Sequence, residues 1–141
     1  MEPSHLGVIL DSSIVIEAKR PGLNVARFLR HVAGRIGEGE AALCAVSVAG
    51  LAHGIHRANT PERRQARGAF LDDLKATVVI HPITAETAEI VGRIHAESSM
   101  QGVTIPFDDL LIGACALEDM LIATRNERHF RKIPGLKLLP F

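Results

Sequence analysis

Short apolar runs alternate with helical patterns from one end of the chain to the other, and no Ser/Gly/Pro-rich linker, repeat or low-complexity block separates them. The first run, Gly7-Val-Ile-Leu-Asp11, stops abruptly at Asp11-Ser12-Ser13. A buried parallel strand feeding a helix has this pattern, and the helix is expected over residues 14–19. Pro21-Gly22 breaks the chain, Asn24 is placed to cap a helix through about Arg35, and the glycine-rich residues 34–39 turn it back. Residues 41–46 read as the second strand, and Ser47 as the N-cap of a helix reaching about Ala58. Thr60-Pro61 then supplies a cap and a first-turn proline for another helix, completing a helical hairpin. The β-branched stretch at 77–80 predicts a third strand, after which Thr84 caps a long helix reaching Met100, with Gly102 just past its end. Residues 107–119 form a further helix, with Pro106 tolerated in its first turn. Its middle, residues 110–117, is apolar nearly all round and therefore belongs between packed layers. Residues 121–124 and 136–139 supply the fourth and fifth strands. The expected fold is α/β: a three-layer α/β/α sandwich around a mostly parallel five-stranded sheet.

Composition narrows what such a fold does. The chain has 141 residues, 47% of them hydrophobic, enough for a single domain over residues 1–141 with its own core. Sixteen Lys+Arg balance sixteen Asp+Glu, so any nucleic-acid binding must come from a local patch rather than from overall charge. Five Phe with neither Trp nor Tyr weaken a reading based on stacking single-stranded bases. Cys44 and Cys115 lie in apolar runs without CxxC or Cys/His spacing. They read as small buried apolar side chains in a reducing cytosol, not as zinc ligands. With no basic-then-apolar leader pattern and no run near the ~18 apolar residues of a membrane span, a soluble cytoplasmic protein is expected.

In a parallel sheet, ligands gather outside the carboxyl ends of the strands. The polar residues there are Asp11 and Ser13 after the first strand, Ser47 after the second, and Thr124, Arg125 and Asn126 after the fourth. Asp108 and Asp109, at the start of an otherwise apolar helix, can reach the same edge. Alone, Asp11 suits a helix cap and Asp109 suits the positive end of a helix dipole. As a pair they suit a hard divalent cation such as Mg²⁺, which one or two carboxylates hold while waters and substrate phosphate fill the remaining positions. Ser13 stands where a haloacid dehalogenase phosphatase has its second Asp, and neither GxxxxGK[ST] nor GxGxxG follows any strand. A receiver-like phospho-acceptor would want an acidic pair at the first strand and another Asp at the third, where Ile80-His81-Pro82 stands instead, which argues against that reading.

Three ordered segments resemble the PIN domain family, specifically the VapC-like ribonuclease toxins of bacterial toxin-antitoxin pairs. They are Val8-Ile-Leu-Asp-Ser-Ser-Ile-Val-Ile16, Ile105-Pro-Phe-Asp-Asp-Leu-Leu-Ile-Gly-Ala114 and Ala123-Thr-Arg-Asn-Glu-Arg-His-Phe-Arg-Lys-Ile-Pro-Gly-Leu136. The resemblance covers nearly the whole chain. It implies a metal-dependent endoribonuclease with Asp11 and Asp109 as metal-binding acids, Asp108 as an extra neighbour, and Ser13, Thr124 and Asn126 in support around Mg²⁺ or Mn²⁺. It also implies RNA as substrate, a VapB-like antitoxin partner and a homodimer.

One departure from the family pattern concerns Ser47-Val-Ala-Gly-Leu-Ala-His-Gly-Ile55. The family carries an acidic residue, usually Glu, four positions before Gly54, and this chain has Gly50 there. Glycine within a helix costs about 1 kcal/mol relative to Ala and supplies no ligand. Either a neighbouring helix packs closely on Gly50, or the site has lost an acid, and the second reading is preferred. Asn126 and His129 likewise stand where many relatives carry an Asp. The alternative function is therefore a catalytically dead PIN scaffold that binds antitoxin or RNA. The seven His are scattered without metal-ligand spacing and suggest surface or core roles. Arg125, Arg128, Arg131 and Lys132 flank the expected site, where they suit either RNA phosphates or a solvated last helix.

Overall fold

A computed structural model describes residues 7–17, 24–37, 40–117 and 120–141. The elements run β1 (Gly7–Leu10), α1 (Ser12–Glu17), α2 (Val25–Ile36), β2 (Ala41–Cys44), α3 (Ala45–His56) and α4 (Pro61–Thr77). They continue with β3 (Val79–His81), α5 (Ala85–Met100), α6 (Phe107–Ala116), β4 (Met120–Thr124), α7 (Glu127–Phe130) and β5 (Lys137–Pro140). The five strands form one sheet in the order β3-β2-β1-β4-β5, and all four pairings are parallel.

Alternation along the strands divides the core in two. Ile9, Ala42, Cys44 and Ile122 point to one face, where Val91 and Ile94 of α5, Leu110, Ile112 and Cys115 of α6 and Phe130 of α7 cover them. Val8, Leu10, Leu43 and Ala123 point to the other, beneath Ile14 and Val15 of α1, Phe28 and Val32 of α2, Leu51 of α3 and Leu74 of α4. Strands buried on both faces have no polar side, which is why they read as continuous apolar runs. The three-layer α/β sandwich expected from the sequence is the observed architecture.

Local capping chemistry sets the helix starts as expected. Asn24 Oδ1 accepts from Arg27 N at 2.9 Å, and Thr60 and Thr84 hydroxyls each accept from the amide three residues on, at 3.1 Å. Gly102, just past α5, has φ +74°, a conformation that a side chain would oppose.

Several boundaries differ from the sequence pattern, among them the start of α1, which is Ser12 and not Ile14. Strand β2 stops at Cys44, whose partner His81 is the last residue of β3, so Ala45 and Val46 are released into α3. The N-cap of α3 is consequently Cys44 and not Ser47, which lies buried inside the helix. Strand β3 begins at Val79 because Thr77 still belongs to α4, its hydroxyl donating to Asp73 O at 2.7 Å. Helix α2 continues to Ile36 before Gly37 ends it at φ +78°. Within α6, Gly113 permits a close approach: an added Cβ there would stand 2.6 Å from Ile133 Cδ1. Residues 18–19, 21–22, 38–39 and 118–119, which the sequence assigned to a helix end, a chain break, a turn and the end of α6, lie outside the described residues.

Candidate functional site

Strand order reverses direction around β1, which has β2 on one side and β4 on the other. The carboxyl ends of β1 and β4 thus meet at the switch point where open α/β sheets bind ligands. Leu10 pairs with Ala123, so the next residues, Asp11 and Thr124, emerge side by side. The Asp11 amide donates to Ala123 O at 3.0 Å, and its carbonyl accepts from Ile14 N at 3.0 Å, fixing the backbone between strand and helix.

Asp11 is 2% exposed, and two hydroxyls hold its carboxylate. Ser13 Oγ donates to Asp11 Oδ2 at 2.8 Å, and the fully buried Thr124 Oγ1 donates to the same oxygen at 2.9 Å. Both hydroxyls are themselves oriented by backbone amides, Thr124 by Asn126 N at 2.8 Å and Ser13 by Arg125 N at 3.3 Å. The β4–α7 turn therefore clamps Asp11 through two hydroxyl relays. Asn126 contributes its backbone N–H to this network. Ser47 joins from α3, accepting from Ser12 Oγ at 3.2 Å.

Asp109 approaches from the first turn of α6 and is 8% exposed. Burial pushes its carboxyl above the ordinary range, a hydrogen bond from His129 opposes that rise, and the charges of Asp108 and Asp11 add to it. The Asp11 charge acts on Asp109 although 97 intervening positions separate the two in sequence. Asp108 itself is exposed, and its Oδ1 accepts from the Asp109 amide at 3.1 Å, completing the first turn of the helix.

The sequence reading missed His129. Its Nδ1 lies 2.7 Å from Asp109 Oδ2, with the ring half-buried in α7. The available signal was its place in the closing segment, at a position where an acid was expected; the scattering of the other histidines concealed it. His53 and His56 are both exposed. Of the flanking basic residues, Lys132 Nζ donates to Thr104 O at 3.1 Å, Arg131 pairs with Glu127, and the Arg125 guanidinium lies 5.8 Å from the Phe141 ring centroid.

A model of the PIN domain matches residues 8–136. The chain belongs to the PIN domain family. Ribonuclease VapC1 of Rickettsia felis is 27% identical over 135 residues, 95% of this chain and 96% of the relative. Ribonuclease VapC2 of Haemophilus influenzae is 29% identical over 135 residues, covering 94% and 96%. Among solved structures, VapBC2 from Rickettsia felis bound to a promoter DNA fragment superposes with a TM-score of 0.77 at 23% identity, over 95% of this chain and 98% of that one.

The candidate donor set is two carboxylates, Asp11 and Asp109. Among the described residues, no group of three or more His, Cys, Asp and Glu is arranged to hold a metal ion. Asp11 and Asp109 nevertheless fit a hard divalent cation, because two mutually repelling carboxylates gain from a positive charge between them and such ions accept water in their remaining positions. Position 50 is exposed, and a Cβ added there meets nothing within 4 Å. Close helix packing therefore does not account for Gly50, and space exists for a longer side chain. No described helix is long and apolar enough to cross a membrane.

Proposed function

We propose that this PIN domain is the metal-dependent endoribonuclease toxin of a toxin-antitoxin pair, acting as one domain in the cytoplasm, with its activity weakened by Gly50. What supports the reading is Asp11 at the β1/β4 switch point, held by Ser13 and Thr124, with its charge acting on the buried Asp109 of α6. The VapC ribonuclease names of its relatives support the same reaction class.

Asp11 and Asp109 would hold Mg²⁺ or Mn²⁺, which when bound polarises a phosphoryl oxygen and lowers the pKa of water. Ser13 and Thr124 occupy Asp11 Oδ2 and so fix the direction in which the carboxylate faces. His129 does the same for Asp109 through its Oδ2. Arg125, just after β4, and Arg128, on α7, are exposed and would supply positive charge for RNA phosphates. The partner is a VapB-like antitoxin that covers the acidic site, and two copies of the chain form a homodimer.

Titrating Mn²⁺ against cleavage of a structured RNA tests the proposal. Gly50→Glu should bind Mn²⁺ more tightly and cut faster than the parent chain. Unchanged, metal-independent cleavage in that variant removes the basis of the assignment. The open space at position 50 and the two-carboxylate donor set favour one second reading, a catalytically dead scaffold that retains antitoxin or RNA binding. That reading predicts binding without cleavage at every Mn²⁺ concentration.

A further inference from the structure

The two cysteines lie on different elements but share one place in the core. Cys44 ends β2 and caps α3, while Cys115 lies in the last turn of α6, 71 residues away. Their sulfurs are 2.9 Å apart, well inside the separation of two unbonded sulfurs in ordinary contact and not far above the ~2.05 Å of a disulfide bond. Cys44 is fully buried and Cys115 is 8% exposed, so a small reagent reaches Cys115 first. The Cys44 thiol is lowered to about 7, chiefly by its hydrogen bond with Cys115, with the amides of Val46 and Ala45 at the start of α3 adding to the effect while burial opposes it. That is the environment in which a sulfur attacks rather than waits.

We propose that Cys44 and Cys115 are an oxidation site, closing to an intramolecular disulfide when a small peroxide reaches the core. In the first step the Cys115 sulfur attacks one oxygen of hydrogen peroxide. An S–O bond forms, the O–O bond breaks, and the departing hydroxide takes up the thiol proton as water. In the second step the Cys44 sulfur attacks the sulfenic sulfur of Cys115. The S–S bond forms, the S–O bond breaks, and hydroxide leaves with the Cys44 proton as a second water. Two thiols lose two electrons and one peroxide is reduced to two waters. The bond would join the N-terminal end of α3, the helix that carries position 50, to α6, which carries Asp109. It would thereby tie together two elements that border the acidic site, a consequence that does not depend on what that site cleaves.

The test treats the folded chain with hydrogen peroxide, quenches it, then denatures and alkylates it for intact-mass analysis. The expected product is a monomer two hydrogens lighter with no alkylatable thiol, regaining two on reduction and melting at a higher temperature than the reduced protein. Cys44→Ser should instead stop at an oxygenated Cys115 or a peroxide-insensitive thiol, without the two-hydrogen loss. Two alkylatable thiols in the treated parent chain, a covalent dimer, or sulfinic acid in place of the bridge would each overturn the assignment. The parent measurement decides the matter even if the serine variant fails to fold.

Discussion

His129 Nδ1 lies 2.7 Å from Asp109 Oδ2, so one acid of the candidate metal pair is hydrogen-bonded by an imidazole from a helix 20 residues further along the chain. With Asp109 ionised, Nδ1 must carry the donated proton, which leaves Nε2 outside the contact. The bond holds the carboxyl down against the burial that raises it. Replacing His129 by Ala removes that restraint, so Asp109 should take up its proton at higher pH than in the parent. The acid limb of Mn²⁺ affinity, followed by calorimetry across pH, should therefore move toward higher pH. An unmoved limb would show that the imidazole does not tune Asp109.

Asp109 also makes the metal-free protein sensitive to pH in a defined direction. Its folded pKa is raised above the unfolded value of about 3.9, so the folded state binds the proton more tightly. The associated stability is complete below the unfolded pKa and is lost as pH rises through the folded one. Asp109→Asn lacks that loss. In chelator it should match the parent near pH 3 and melt higher than the parent near pH 7, while binding Mn²⁺ more weakly. Thermal melts at several pH values check the sign.

Thr124 supports Asp11 from a fully buried position. Thr124→Val keeps the shape but deletes a donor to Asp11 Oδ2 and an acceptor for the Asn126 amide. The expected cost is about 1–3 kcal/mol of stability, read by chemical denaturation, together with weaker Mn²⁺ binding. Thr124→Ser, which retains the hydroxyl, should recover most of the metal affinity. Loss of affinity in both variants to the same degree would assign the effect to packing.

Position 50 separates helix propensity from charge. Gly50→Ala enters an exposed helical position with nothing within 4 Å and should stabilise the protein by about 1 kcal/mol without changing Mn²⁺ affinity. Gly50→Glu adds a carboxylate and should strengthen Mn²⁺ binding by about tenfold or more, a difference of about 1.4 kcal/mol. Equal affinities in the two variants would place the side chain away from the acids.

Much of the fold was legible from local chemistry. Asn24, Thr60 and Thr84 cap the helices they were expected to cap, because a side-chain oxygen within three residues of an unpaired amide needs no distant partner. Ser47 defeated the same logic. It looks like a cap, but the pairing of Cys44 with His81 ends β2 early and draws Ser47 into the helix, a decision made by a neighbouring strand.

The candidate site divides in the same way. By itself the sequence named the candidates for chemistry: Asp11 at the end of an apolar run, Asp109 at the head of a buried helix, and glycine in a slot where the resemblance called for an acid. Only tertiary structure decided who meets whom, because contacts across 113 residues between Thr124 and Asp11, or 71 between the two cysteines, depend on parallel pairing and layer packing. A backbone amide finds its cap nearby, whereas a buried carboxylate or thiol takes its partner from whatever the folded sheet sets beside it.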